Sequence, residues 1–145
     1  MSDKRAVLIS GPPGIGKTTT AHLVARLENF EAIEFNASDT RSKKTVENLV
    51  KDITTSHTVR HFFGGDKSGA KSKAQVIIMD EVDGMSAGDR GGNASLIQLI
   101  KQTKVPIICI CNDRQSQKVR SLANYCYDMR FRRYLYVVWL LQPQL

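Results

Sequence analysis

The sequence predicts a three-layer α/β/α domain built on a five-stranded parallel sheet. Two observations carry that prediction. Short apolar runs alternate along the chain with segments of helical periodicity, the pattern of parallel strands joined by crossover helices. A glycine-rich segment, "GPPGIGKT" at 11–18, sits between the first apolar run and the first helical one. The length, 145 residues, allows one domain with a real core and not comfortably two.

Taken in order, strands are expected near 6–10, 32–36, 76–80, 107–111 and 127–129, and helices near 17–28, 42–54, 93–103 and, shorter, 117–123. In the helix near 93, Leu96, Ile97, Leu99 and Ile100 make a broad apolar face. "GGDKSGAKSKA" at 64–74 reads as a basic surface loop by composition. The expected organisation is a core over 1–133, followed by a divergent apolar tail, "YLYVVWLLQPQL", over 134–145.

Hydrophobic residues make up 41% and charged residues 24% of the chain, as in an ordinary globular protein. The formal charge of +7 favours a polyanionic partner such as nucleic acid, although a basic domain kept soluble by its charge has the same composition. Cys109, Cys111 and Cys126 show no metal-ligand spacing, and buried reduced thiols account for them. Cys109 and Cys111 alternate along an apolar run, so one face of a strand would carry both. "MSDKRAVLIS" lacks the pattern of a signal peptide, and the terminal "YLYVVWLL" is too short to span a membrane, so no membrane partner is expected.

"GPPGIGKT" satisfies G-x-x-x-x-G-K-[ST] and stands where that motif must stand, after a strand and before a helix. A chance match in a chain of this size is on the order of one per cent, given average glycine usage. Gly11, Pro12, Pro13, Gly14, Ile15, Gly16, Lys17, Thr18 and Thr19 form the expected nucleotide-binding segment. Its glycines let backbone N–H groups turn toward phosphate oxygens, and the helix N-terminus adds partial positive charge. Lys17 is expected to reach the β- and γ-phosphates of ATP, and the Thr18 hydroxyl to coordinate Mg²⁺. The fold class is therefore that of a P-loop nucleotide-hydrolysing core.

"IIMDEVDGMSAGDRGG" at 77–92 then acquires a meaning. Acids at the end of a buried strand are costly unless something positive sits there. Asp80 is expected to hold Mg²⁺ through water, and Glu81 to orient and deprotonate an attacking water. Asn112 closes the apolar run "PIICICN". Taken alone it ends a strand and starts a turn; beside the other two motifs it is expected to sense the γ-phosphate. Asp83 is expected only to cap its own loop. The guanine-reading Asn-Lys-x-Asp motif of GTPases is not matched by "CNDRQ", and small-molecule kinases seldom need an Asp-Glu pair to activate water. ATP hydrolysis coupled to a change of shape fits better.

"GPPGIGKTT", "EFNASDTRSKK", "IIMDEVDGMSAGDRGG", "PIICICNDR" and "YDMRFRR", in this order, resemble the ATPase domain of the AAA+ clamp loaders, with its RecA-like core. Within them the likeness is to the large-subunit class of eukaryotic replication factor C, and it extends from Ala6 to about Arg133. The resemblance implies a nuclear, ATP- and Mg²⁺-dependent role in DNA replication and repair. The chain would act in a hetero-pentamer with small clamp-loader subunits, which opens a sliding clamp (proliferating cell nuclear antigen) and closes it around primer–template DNA. Lys17, Thr18, Asp80, Glu81 and Asn112 match the family's Walker A, Walker B and sensor 1 positions, which gives Lys17, Glu81 and Asn112 catalytic roles. Arg90, in "DRGG", matches a position that faces the DNA channel, where a guanidinium beside a helix N-terminus suits a phosphate; a solvated loop arginine is the plainer account.

Three features depart from the family or go beyond its nucleotide site. Small subunits carry Ser-Arg-Cys before the last core strand, whereas "NYC" at 124–126 puts Tyr125 where that arginine would be, so the chain would receive an arginine finger and donate none. The resemblance also implies that the lid domain which follows this core in the family is absent, since the tail from Tyr134 does not match it. In "SHTVRHFF" at 56–63, Val59 stands three residues before Phe62 and Phe63, the spacing of peptides that dock on sliding clamps. Pattern alone leaves the two phenylalanines as core or loop anchors, and the resemblance makes Val59, Phe62 and Phe63 a clamp contact. The other function the sequence allows is a binding module that docks on the clamp or on DNA without productive hydrolysis.

Overall fold

The computed structural model describes residues 4–39, 44, 48, 73–85 and 90–133, with 90–92 described by backbone alone. The elements run β1 (Ala6–Ser10), α1 (Lys17–Leu27), β2 (Glu31–Asn36), β3 (Gln75–Asp80), a 3₁₀ turn (Val82–Gly84), α2 (Arg90–Gln102), β4 (Ile107–Cys111), α3 (Gln117–Ala123) and β5 (Tyr127–Arg130). All five strands pair in parallel, in the order β2-β3-β4-β1-β5. Leu8 lies opposite Cys109, Ile9 opposite Met129, and Phe35 opposite Met79. Parallel neighbours need long crossovers, and these carry the helices onto the faces of the sheet.

The pleat divides the core into two layers. On one face Ile9, Ile78 and Ile110 pack against Ala21 of α1. On the other, Leu8, Ile77, Met79, Cys109 and Cys111 pack against Leu96, Leu99 and Ile100 of α2 and Val119 and Leu122 of α3. Leu8 and Leu96 are fully buried, and each such side chain contributes about 1.5–3 kcal/mol of transfer free energy. Among the described residues, α1 on one face and α2 and α3 on the other make the three layers that the sequence predicts. Small residues at Ala21 and Ala25 let α1 lie close on the sheet and leave Leu23 and Leu27 on its outer side.

The strands fall within a residue of their expected places at each end, since caps and frayed turns blur element ends by that much. The exception among the helices is α2, which starts at Arg90 rather than near 93 and so takes Gly91 and Gly92 into its first turn. A first turn has few internal N–H bonds to lose, so glycine is tolerated there better than in a helix interior. Of the helix expected over 42–54, Lys44 and Asn48 are described and both are helical; its other residues lie outside the described set.

The three cysteines are free and buried. Burial pushes the Cys111 thiol up to about 12, and a hydrogen bond with Cys126, together with burial, pushes Cys109 up as well. Neither thiol is a nucleophile at neutral pH. Among the described residues no helix is long and apolar enough to cross a membrane.

Candidate nucleotide-binding and hydrolytic site

In the sheet order, β1 and β2 are separated by β4 and β3. The connections on either side of β1 therefore part company at its C-terminal end, which is where α/β sheets bind their ligands. The loop at 11–16 leaves β1 at this point. Gly14 (φ 73°) and Gly16 (φ 85°) take left-handed backbone conformations that side chains disfavour. Gly11 is constrained differently, because a Cβ there would lie 2.5 Å from the carbonyl oxygen of Phe131. Phe131 in turn donates its N–H to Ser10 O at 2.7 Å, drawing the exit of β5 alongside the loop.

Lys17 opens α1 and folds back under the loop. Its Nζ donates to Gly11 O, Pro12 O and Asn112 Oδ1, each at 2.8 Å, so all three ammonium protons are in use. The residue is 6% exposed, and burial of an ammonium is tolerable here because every donor has a partner. The fold therefore brings together Lys17, at the start of α1, and Asn112, just past the end of β4. Pro12, Pro13, Gly14, Gly16 and Thr19 remain exposed around them, with Gly11, Ile15 and Thr18 half-buried.

Thr18 Oγ1 donates to Asp80 Oδ2 at 2.6 Å, and the other oxygen, Oδ1, accepts the Glu81 N–H at 2.7 Å. A hydroxyl and a carboxylate converging at the phosphate loop are the oxygen donors that Mg²⁺ takes, one or two from protein and the rest from phosphate and water. The residues present fit such an ion. Among the described residues no group of three or more His, Cys, Asp or Glu could hold a metal alone, so nucleotide and water would complete the shell.

Glu81 has the left-handed backbone of φ 55°, ψ 40°, which costs a non-glycine residue about 1 kcal/mol. Its Oε2 lies 2.8 Å from Ser38 Oγ and accepts Asn36 Nδ2 at 3.0 Å. The Asn36 amide is oriented for this by its oxygen, which accepts the Ser38 N–H at 2.9 Å. The hydrogen bonds from Ser38 and then Asn36 hold the Glu81 carboxyl below its usual range. Held so, Glu81 is ionised but a weaker base than a free glutamate. Sequence reasoning missed Asn36 and Ser38 as site residues. The signal was their place in "NASD", at the end of the strand next to the Asp-Glu strand.

Asp83, expected to cap its own loop, instead accepts the backbone N–H groups of Asn112 at 3.0 Å and Asp113 at 2.8 Å, beyond the end of β4. Arg114, in the turn that follows, pairs with Asp128 of β5 at 3.2 Å, and Arg130 reaches the same carboxylate at 3.3 Å. Tyr125 is half-buried beneath Lys101, whose Nζ lies 4.5 Å from the ring centroid. Arg90 stands at the first position of α2, and its side chain lies outside the described residues, as do Val59, Phe62, Phe63 and the 134–145 tail.

The sequence is similar to known proteins over most of its length. Residues 7–137 match the family model described as ATPase family associated with various cellular activities (AAA). Replication factor C subunit 1 of Drosophila melanogaster is 55% identical over 130 residues, which is 89% of this chain and 13% of that protein. Replication factor C subunit 1 of Homo sapiens is 49% identical over 133 residues, 91% of this chain and 12% of that protein. Replication factor C large subunit of Nanoarchaeum equitans is 35% identical over 130 residues, 89% of this chain and 28% of that protein. The chain thus spans a small part of the length of each relative. With a P-loop on a five-stranded parallel sheet and a family match over most of its length, the chain belongs to the AAA family of ATPases.

Proposed function

We propose that the chain is the ATP-binding core of a clamp-loader large subunit, working in the nucleus in DNA replication and repair. In this reading it acts in a hetero-pentamer with small subunits to load a sliding clamp onto primer–template DNA. One observation carries the reading: Lys17, Thr18, Asp80, Glu81 and Asn112 meet at one end of the sheet. The likeness at about half identity to proteins named replication factor C subunit 1 supports the choice of clamp loader among AAA functions.

The chemistry follows from the contacts. Lys17 exchanges part of its hydrogen bonding from the loop carbonyls to the β- and γ-phosphates, and neutralises charge there. Asn112, whose Oδ1 accepts from Lys17, meets the γ-phosphate oxygen or the attacking water in this reading. Bound between Thr18, Asp80 and the nucleotide, Mg²⁺ would supply charge neutralisation for the phosphates. In this reading Glu81 is released from Ser38 and Asn36 to act on a water beside the γ-phosphate, and loses their acidifying hydrogen bonds as it does so. The carboxylate is a weaker base while held and a stronger one once released, so the two contacts restrain hydrolysis until something breaks them.

Tyr125, at the place where small subunits carry their arginine, packs under Lys101, in keeping with a chain that donates no arginine finger; in this reading the chain takes one from a neighbour. Such a finger is worth roughly 10³–10⁵ in rate, so hydrolysis by the isolated chain would be very slow. Arg90 contacting DNA phosphate, and Val59, Phe62 and Phe63 contacting the clamp, complete the proposal.

The test is a titration of a fluorescent ATP analogue with Mg²⁺ onto the purified chain and its Lys17→Ala variant. This would be followed by ATPase assays with small subunits, clamp and primed DNA. Binding that requires Lys17, and turnover that appears only in the full mixture, are expected. Equal affinity in the variant would overturn the nucleotide site. Binding without turnover in the full mixture would leave a docking module.

A further inference from the structure

Asp83 is the one carboxylate of the 80–83 cluster to which the hydrolytic reading gives no task. Its Oδ2 accepts two N–H groups, from Asn112 at 3.0 Å and Asp113 at 2.8 Å. It lies in the 3₁₀ turn that Gly84 N closes on Glu81 O at 2.9 Å. The same carboxylate therefore joins the turn that begins at Glu81 to the turn that begins at Asn112. Charge-assisted bonds of this kind are about twice as strong as neutral ones.

The turn has little freedom. Val82 is buried in the main core cluster, and Lys118 Nζ of α3 donates to Met85 O just past the turn. A Cβ on Gly84 would lie 3.1 Å from the Ser38 Cβ, so the turn sits flush against the residue that holds Glu81. A continuous path of contacts runs from Lys17 through Asn112, Asp83 and the 3₁₀ turn to Glu81, Ser38 and Asn36. A short turn clamped on both sides moves as a unit.

We propose that Asp83 is a positioning residue that fixes Asn112 and Glu81 relative to each other, so that displacement of Asn112 by a γ-phosphate is passed to the turn that carries Glu81. The proposal rests on the nucleotide reading above for its γ-phosphate, while the brace itself rests on the two Asp83 contacts alone.

The first measurement is therefore made on the nucleotide-free chain, by NMR of wild type, Asp83→Ala and Asp83→Asn. In Asp83→Ala the amide protons of Asn112 and Asp113 exchange at least about tenfold faster, as expected when both lose a charged acceptor. The Asn36 side-chain NH₂ signal, which reports Glu81, shifts with them. Asp83→Asn keeps an acceptor oxygen and recovers more than half of both effects. A folded Asp83→Ala chain whose Asn36 signal stays at the wild-type position overturns the proposal, because a mere loop cap would behave that way.

The second measurement titrates ADP and a slowly hydrolysed ATP analogue. Asp83→Ala is expected to keep ADP affinity within about twofold while its preference for the triphosphate falls about tenfold, the scale of one charge-assisted bond. In an Asn112→Ala background, Asp83→Ala adds no further loss. Equal losses for both nucleotides, or losses that add, overturn the coupling. If Asp83→Ala does not fold, Asp83→Asn carries the test with a loss of about threefold, and an unchanged preference overturns it. Failure of the wild-type chain to bind either nucleotide would defeat the nucleotide reading, and the exchange measurement would still decide the brace.

Discussion

The Lys17 Nζ lies 2.8 Å from Asn112 Oδ1, across 95 residues of sequence. This contact joins the phosphate loop to the end of β4 and uses the third of the ammonium's three protons. Replacing Lys17 by Ala removes the cation from beneath the loop and strands Gly11 O, Pro12 O and Asn112 Oδ1. Affinity for Mg²⁺-ATP is expected to fall at least about a hundredfold, the scale of two lost charge-assisted bonds. Isothermal calorimetry on a variant of wild-type secondary structure checks it.

Gly11 meets the exit of β5. An alanine there would set its Cβ 2.5 Å from Phe131 O and 2.9 Å from Ile15 Cδ1. The first of these atoms is backbone and cannot swing aside. Gly11→Ala is expected to destabilise the chain by about 1–3 kcal/mol and to weaken nucleotide binding as the loop parts from Phe131. Gly14→Ala meets no atom within 4 Å and carries only the cost of its positive φ. Urea denaturation of the two variants side by side is the measurement, and a smaller loss for Gly11→Ala than for Gly14→Ala would contradict the close approach.

Ser38 and Asn36 hold Glu81 in that order of effect. In Ser38→Ala the Glu81 carboxyl is expected to titrate at a higher pH than in wild type, closer to its usual 4.5. Asn36→Ala should give a smaller rise. Carbon-detected NMR titration of the side-chain carboxyl reads both. An unchanged midpoint in Ser38→Ala would mean that the glutamate is free in solution.

Asp128 is held below the usual 3.8 by Arg114 first and Arg130 after it. A depressed native pKa contributes stability above the unfolded value of 3.8, and that stability is lost as pH falls through the lower folded value. Asp128→Asn is therefore expected to cost up to about 1 kcal/mol at pH 7, since the group is partly exposed and screened. The difference from wild type should shrink below about pH 4 and vanish at lower pH. Thermal unfolding at several pH values tests this, and a difference that grows toward acid would have the wrong sign.

The sequence alone determined the strands, most of the described helices and the phosphate-loop motif. Short, β-branched apolar runs bounded by turn residues fit strands covered on both faces, so "AVLIS", "VIIMD" and "IICIC" fell where β1, β3 and β4 stand. "GPPGIGKT" could be read because the whole motif lies within one loop, between an apolar run and a helical one. Asp80 was legible for a related reason, as an acid ending a buried strand. Tertiary structure alone decided which of these residues touch. Sheet order put β3 between β2 and β4, and only that order brings Asn36 and Ser38 to Glu81, and Asp83 to Asn112 and Asp113. Nothing local marks these contacts, because each is a hydrogen bond between the C-terminal ends of strands adjacent in space and remote in sequence. Asp83 looked like a loop cap for that reason: its partners are 29 and 30 residues away, and the pairing of strands, not the chain's neighbours, supplies them.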